Sequence, residues 1–123
     1  GVNRFAGEIV SDYDAGRFGV DARSVRFPGL SSYVAPPGGG TTDYAVDIYY
    51  SAVKGEKFKC PLKPGTFMDM MYMPDALRAA VEISEADTSR LRHRNSYKIA
   101  SVSFDPEIIS AKIKEYVPGF EME

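Results

Sequence analysis

The segment with the clearest chemical potential is a glycine-rich turn that leads directly into a predicted helix. Its sequence is Pro36-Pro37-Gly38-Gly39-Gly40-Thr41-Thr42-Asp43. Three glycines let a ligand approach the backbone closely, because no side chain stands in the way. The start of the following helix presents unpaired N–H groups and a partial positive charge, and the threonine hydroxyls add further donors. The segment therefore indicates a seat for a carboxylate or phosphate, with a plain capped loop as the alternative.

The other reactive side chains favour structural roles. The chain has neither the P-loop lysine after a second glycine nor a G-x-G-x-x-G pattern, so it carries no nucleotide-binding motif of its own. His93 is the only histidine, and its position within the basic run Arg90–Arg94 indicates an exposed loop. A single cysteine, Cys60, excludes an intrachain disulfide and a Cys-rich zinc site. We therefore expect no bound metal.

Composition limits the class of protein. The chain has 123 residues, of which 44% are hydrophobic and 26% charged, as in a globular domain and unlike a disordered segment. A net charge of -2 provides no general attraction to nucleic acid or to an anionic membrane. No apolar run approaches the roughly 20 residues that span a bilayer. Together with the single cysteine, these features favour a cytoplasmic protein.

Predicted helices and strands alternate along the chain, which indicates an α/β fold with a partial sheet. Apolar residues three and four apart predict an amphipathic helix over 1–18. No capping residue precedes that helix, so we expect Gly1 to be a truncation point. Further helices are predicted over 44–54, 74–84 and from 106 onwards. Strands are predicted over 21–27, 57–62, 70–73 and 97–102, with a loop over 28–40 and the start of another element at 120–123.

Several blocks of sequence point to one family. Val25–Leu30, Pro37–Val46 and Met70–Ala76 follow one another along the chain, as do Asn95–Tyr97 and Ser103–Glu107. Together they resemble the NAD-dependent L-threonine 3-dehydrogenases of the extended short-chain dehydrogenase/reductase (epimerase/dehydratase) superfamily. The resemblance covers nearly the whole chain and implies a C-terminal-side fragment of a partial Rossmann-like fold. It assigns 1–30 to the end of the dinucleotide-binding domain and 31–123 mostly to the substrate-binding part.

The same resemblance implies binding residues. Gly40, Thr41 and Thr42 match the part of the substrate pocket that holds the threonine carboxylate, which agrees with the anion seat predicted from the helix start. Pro28, Gly29 and Leu30 match the segment that lies against the nicotinamide of NAD.

A departure from the family concerns catalysis. The family's Tyr-x-x-x-Lys pair lies on the first helix, where the Tyr would fall one position before Gly1 and the Lys at Arg4. An arginine keeps the positive charge but replaces a compact ammonium with a planar fork. Arg4 is therefore the only catalytic position of the family that this chain contains.

The resemblance also implies an activity. The complete enzyme would use NAD to oxidise L-threonine, or a similar small amino or hydroxy acid, giving 2-amino-3-ketobutyrate from L-threonine. We expect the isolated chain to be inactive, since it lacks the Gly-rich loop and the Tyr. A homodimer through the first helix, including Ile9 and Tyr13, is expected, with no nucleic-acid or membrane partner. A sugar-nucleotide epimerase or dehydratase of the same superfamily and a non-catalytic small-carboxylate binding module are the alternatives.

Overall fold

The computed structural model describes residues 2–34 and 36–123, which fall into two compact units. The first unit combines the residues up to Phe27 with Pro74–Ala100, and the second combines Pro28–Met73 with Ser101–Glu123. Gly1, the expected truncation point, lies outside the described residues.

The element order is that of a mixed α/β chain, as predicted. Helices α1 to α4 span Val2–Phe18, Tyr44–Lys54, Met73–Glu85 and Pro106–Tyr116. Strands β1 to β5 span Val25–Arg26, Gly29–Ser31, Met68–Tyr72, Tyr97–Lys98 and Val102–Phe104. Single 3-10 turns cover Thr41–Asp43 and Thr88–Arg90.

In the first unit, helix α1 contacts its neighbours through its polar side. Strands β1 and β4 run parallel, with Val25 opposite Tyr97. The Arg26 guanidinium donates from Nε to the Glu8 carboxylate at 2.8 Å and lowers the pKa of that carboxyl to about 2. Asn95 Nδ2 donates to the backbone carbonyl of Glu8 at 3.3 Å. The apolar side of α1 therefore faces away from these contacts, and none of the residues of α1 is buried.

Arg23 closes the C-terminal end of α3. Its Nη1 donates at 2.6 Å to the carbonyls of both Ile83 and Ala86. The last carbonyls of a helix have no partner within the helix, and a guanidinium supplies several donors at once. Asp21 pairs with Arg23 at 2.8 Å and with Arg94 at 2.9 Å, and these charges hold the pKa of Asp21 below its usual value.

The second unit contains the hydrophobic core. Strand β3 lies between β2, to which it is parallel, and β5, to which it is antiparallel. Helices α2 and α4 contribute most of the other core side chains, and Phe58 and Phe120 come from the connecting and C-terminal segments. The buried cluster comprises Tyr44, Ala45, Ile48, Ala52, Phe58, Met70, Ile109, Ile113 and Phe120.

The ends of α2 and α4 follow the sequence signals. Gly55 terminates α2 in the left-handed conformation, with a φ of 70°. The Asp105 carboxylate caps α4 by accepting from the N–H of Ile108 at 2.9 Å.

Several predicted strand boundaries were wrong. The strand predicted over 21–27 is reduced to β1, and the one over 97–102 is divided into β4 and β5. The strand over 57–62 is a single bridge between Phe58 and Met122. The residues near Met122 pair with Phe58 in this unit, and Phe120 is buried. Strand β2 lies where a loop was predicted, because Pro28-Gly29 was interpreted as a strand stop.

The Tyr44 hydroxyl is buried in the core without a hydrogen-bond partner among the described residues. Burial raises the pKa of this phenol and keeps it neutral. An unpaired buried hydroxyl costs about 1–3 kcal/mol.

We predict that Tyr44→Phe raises the free energy of unfolding by about 1 kcal/mol, because it removes that cost and keeps the ring. Chemical denaturation of the purified protein measures the change. Tyr50→Phe is the matched control on the same helix, since the Tyr50 side chain is partly exposed and the loss of its hydroxyl should change little. A clear loss of stability in Tyr44→Phe would show that the hydroxyl has a partner.

Candidate functional site: the glycine-rich turn and Thr42

The glycine-rich turn folds back onto the carboxylate of Asp43. Asp43 Oδ2 accepts hydrogen bonds from the N–H groups of Gly39 and Gly40, each at 2.7 Å. The N–H of Asp43 in turn donates to the Gly40 carbonyl at 3.0 Å. Gly39 has a φ of +100°, a conformation that side chains rarely permit. Two of the backbone donors expected to meet a ligand therefore already bind an anion of the chain itself.

Thr42 packs against strand β2. A Cβ built on Gly29 would lie 2.7 Å from Thr42 Cγ2, and the Met70 sulfur occupies the other side of the same position. Only glycine lets β2, β3 and the turn at Thr41–Asp43 approach this closely. The close packing thus brings together two residues with expected roles. The resemblance predicts that Gly29 faces the nicotinamide and that Thr42 binds the carboxylate.

The donors that stay available lie at the beginning of the helical stretch. The first N–H groups of a helical stretch have no acceptor within it, which leaves those of Thr41 and Thr42 to face solvent or a ligand. Thr41 is exposed and Thr42 is half-buried, so one side of Thr42 is fixed by packing while part of it is accessible. The arrangement can bind one small anion through two N–H groups and two hydroxyls.

Arg4 belongs to the first compact unit, whereas the glycine-rich turn belongs to the second. Arg4 occupies the exposed part of α1, one turn before Glu8. Pro28 and Leu30 flank Gly29 in the second unit and are half-buried.

Sequence reasoning missed an apolar cavity in the second unit. It has a volume of about 550 Å³ and lies between α2 and strands β2, β3 and β5. Tyr49, Met71 and Val102 are among its lining residues, and burial raises the pKa of Tyr49. Met70 lines the cavity as well as touching the Gly29 position, so the cavity borders the Thr42 packing. The neighbouring tyrosines Tyr49 and Tyr50 of α2 and the methionines Met70 and Met71 of β3 were the sequence features that could have indicated this cavity.

The remaining candidates behave as surface or core residues. His93 is exposed and stacks on Tyr97, with ring centroids 4.2 Å apart. Cys60 is half-buried and packs against the core of the second unit. No cluster of three metal-ligating side chains occurs within residues 2–34 and 36–123. None of the helices in this part of the chain is long and apolar enough to cross a membrane.

Comparison with known proteins gives consistent relatives. No family model matches the sequence. A curated protein described as an uncharacterised epimerase/dehydratase of Staphylococcus aureus (strain MRSA252) is 53% identical over all 123 residues. The X-ray structure of an L-threonine dehydrogenase from Clostridium difficile has a TM-score of 0.94 and 54% identity over the whole chain.

A more distant structure shares the fold alone. A UDP-N-acetylglucosamine 4-epimerase from Methanobrevibacter ruminantium has a TM-score of 0.73 at 12% identity over 98% of the chain, which is 38% of the epimerase. The chain spans 38% of the staphylococcal relative and 39% of the clostridial enzyme. By sequence and by fold, the chain is therefore similar to a segment of the L-threonine 3-dehydrogenases and of the curated epimerase/dehydratase proteins.

Proposed function

We propose that this chain forms the substrate-binding part of an NAD-dependent L-threonine 3-dehydrogenase, which oxidises L-threonine to 2-amino-3-ketobutyrate. The observation that carries the proposal is the position of Thr42, which lies in the first turn of a helical stretch and packs against Gly29. The similarity to the clostridial L-threonine dehydrogenase supports the substrate.

In this proposal the residues of the chain bind and orient the substrate. The Thr42 hydroxyl and the N–H groups of Thr41 and Thr42 donate to the carboxylate of L-threonine, with Gly40 shaping the adjacent backbone. The positive end of the helical stretch favours the negative charge. A carboxylate held at this point leaves the β-hydroxyl to be directed toward the reacting groups, which reduces the entropy cost of alignment.

NAD is proposed as the cofactor of the complete enzyme, on the family resemblance. The sequence holds no glycine-rich G-x-G-x-x-G motif for its pyrophosphate. Thr42 and Met70 fill the space where Gly29 lacks a Cβ, so a ligand cannot enter that space. Contacts of Pro28, Gly29 and Leu30 with the nicotinamide, and a ribose contact by Arg4, stay predictions. We expect no turnover from the 123 residues alone.

The glycine-rich turn argues against the sugar-nucleotide alternative. A diphosphate bound at this turn would need the N–H groups of Gly39 and Gly40, and these bind the Asp43 carboxylate. A non-catalytic module that binds a small carboxylate uses the same donors and is separated from the dehydrogenase only by an activity assay.

A homodimer through α1 is the proposed assembly. Ile9 and Tyr13 are 55% and 61% exposed, and they share their helix face with Val2 and Phe5, which are also exposed. Because α1 contacts its own unit through Glu8, its apolar face is free to meet a second copy. A cytoplasmic location, expected from the single cysteine, is proposed as well.

We predict that Thr42→Val in the complete enzyme lowers kcat/KM for L-threonine about 10- to 100-fold, mainly through KM. Valine keeps the methyl group against Gly29 and removes the hydroxyl, and a hydrogen bond to a charged group contributes about 1.5–3 kcal/mol. Thr42→Ser is the matched control, since it keeps the hydroxyl and should stay within about threefold of the native enzyme.

The same assay separates the alternatives. NADH formation from L-threonine supports the dehydrogenase, and conversion of a UDP- or GDP-sugar instead supports the epimerase. Binding of L-threonine by the complete protein without any NADH formation supports the module. A native-like KM in Thr42→Val together with a raised KM in Thr42→Ser would contradict the role of the hydroxyl.

For the assembly, we predict that Ile9→Asp weakens dimerisation of the complete enzyme at least tenfold, because a charge placed in an apolar interface loses its hydration. Sedimentation velocity over a concentration series measures the change. Asp14→Ala, on the opposite side of α1 from Ile9, is the control and should leave the dimer intact. A native enzyme that is monomeric, or an Ile9→Asp variant with native dimerisation, would exclude this interface.

A further inference from the structure

Asp43 occupies the position from which an aspartate normally caps a helix, yet its side chain turns the other way. It is the N-cap residue of α2 and makes no side-chain bond to the first turn of that helix. Its carboxylate instead accepts from the N–H groups of Gly39 and Gly40 at 2.7 Å each. As the third residue of the turn Thr41–Asp43, it makes the capping-box bond back to the N–H of Gly40, and its bond to Gly39 extends that closure by one residue.

The bonds of Asp43 enclose the two threonines. Thr41 and Thr42 lie between Gly40 and Asp43, inside a loop that two side-chain bonds and one backbone bond close. The bonds that close the loop restrain the backbone of Thr42. The methyl group of Thr42 packs against Gly29, which restrains its side chain. A ligand-binding side chain held on two sides loses little conformational entropy when it binds.

We propose that Asp43 is a positioning residue for substrate binding, which holds the glycine-rich turn so that the donors of Thr41 and Thr42 converge on the substrate carboxylate. This inference rests on the proposed function. Asp43 acts through its two backbone hydrogen bonds and does not touch the substrate. Its action is therefore specific to the carboxylate end of the substrate, and a substrate without a carboxylate does not benefit from it.

The test compares two substrates in the complete enzyme. L-Threonine carries the carboxylate, whereas 1-amino-2-propanol has the amino and hydroxyl groups and lacks it. For Asp43→Ala we expect KM for L-threonine to rise about tenfold, with kcat within about threefold of the native value. For 1-amino-2-propanol, measured as a substrate or as an inhibitor of L-threonine oxidation, we expect no change.

Two further variants separate hydrogen bonding from charge and from general damage. Asp43→Asn keeps an oxygen that can accept both bonds and removes the charge, so we expect it to restore most of the native KM. Asp47→Ala removes an exposed acidic residue one turn further along α2 and should leave KM for both substrates unchanged. If Asp43→Ala does not fold, Asp43→Ser replaces it, because serine is a good N-cap residue whose hydroxyl is too short to reach both glycines.

The outcomes are distinct. An equal loss on both substrates means that Asp43 only maintains the fold, and an unchanged KM for L-threonine means that it positions nothing; either result overturns the inference. A native enzyme that does not oxidise L-threonine overturns the proposed function and this inference with it.

Discussion

The second unit depends on the close approach of three backbone segments at Gly29. Strand β2 pairs with β3 so that Gly29 lies opposite Met70, and the turn before α2 places the Thr42 methyl group over the same glycine. A side chain at position 29 would displace either the central strand or the turn. Met70 belongs to the buried core and Thr42 to the proposed carboxylate site. Because both side chains pack at Gly29, the position of Thr42 is tied to the packed core.

A second constraint is the internal bonding of the glycine-rich turn. Two of its backbone N–H groups, those of Gly39 and Gly40, donate to the Asp43 carboxylate and are therefore not available to a ligand. The glycines thus serve the conformation of the turn itself, as the positive φ of Gly39 also indicates.

The sequence predicted the helices better than the strands, for a physical reason. The ends of α2 and α4 are encoded locally, by Gly55 and by Asp105 followed by Pro106. Strand β2 is encoded by distant partners, since Gly29 is explained only once Met70 and Thr42 approach it. The family resemblance predicts a substrate contact for Thr42, which stays a prediction. The bonds of Asp43 back to Gly39 and Gly40 were not predicted, because Gly40-Thr41-Thr42-Asp43 lacks the usual Ser/Thr-x-x-Glu/Gln pattern of a capping box.

In the proposed function, Thr42 and its neighbours hold the carboxylate of L-threonine. A crystal structure of the complete enzyme with L-threonine bound tests this placement. We expect a substrate carboxylate within hydrogen-bond distance of the Thr42 hydroxyl and of the N–H of Thr41 or Thr42, with Asp43 still bonded to Gly39 and Gly40. A carboxylate held by residues outside this turn, with Thr42 facing solvent, would contradict it.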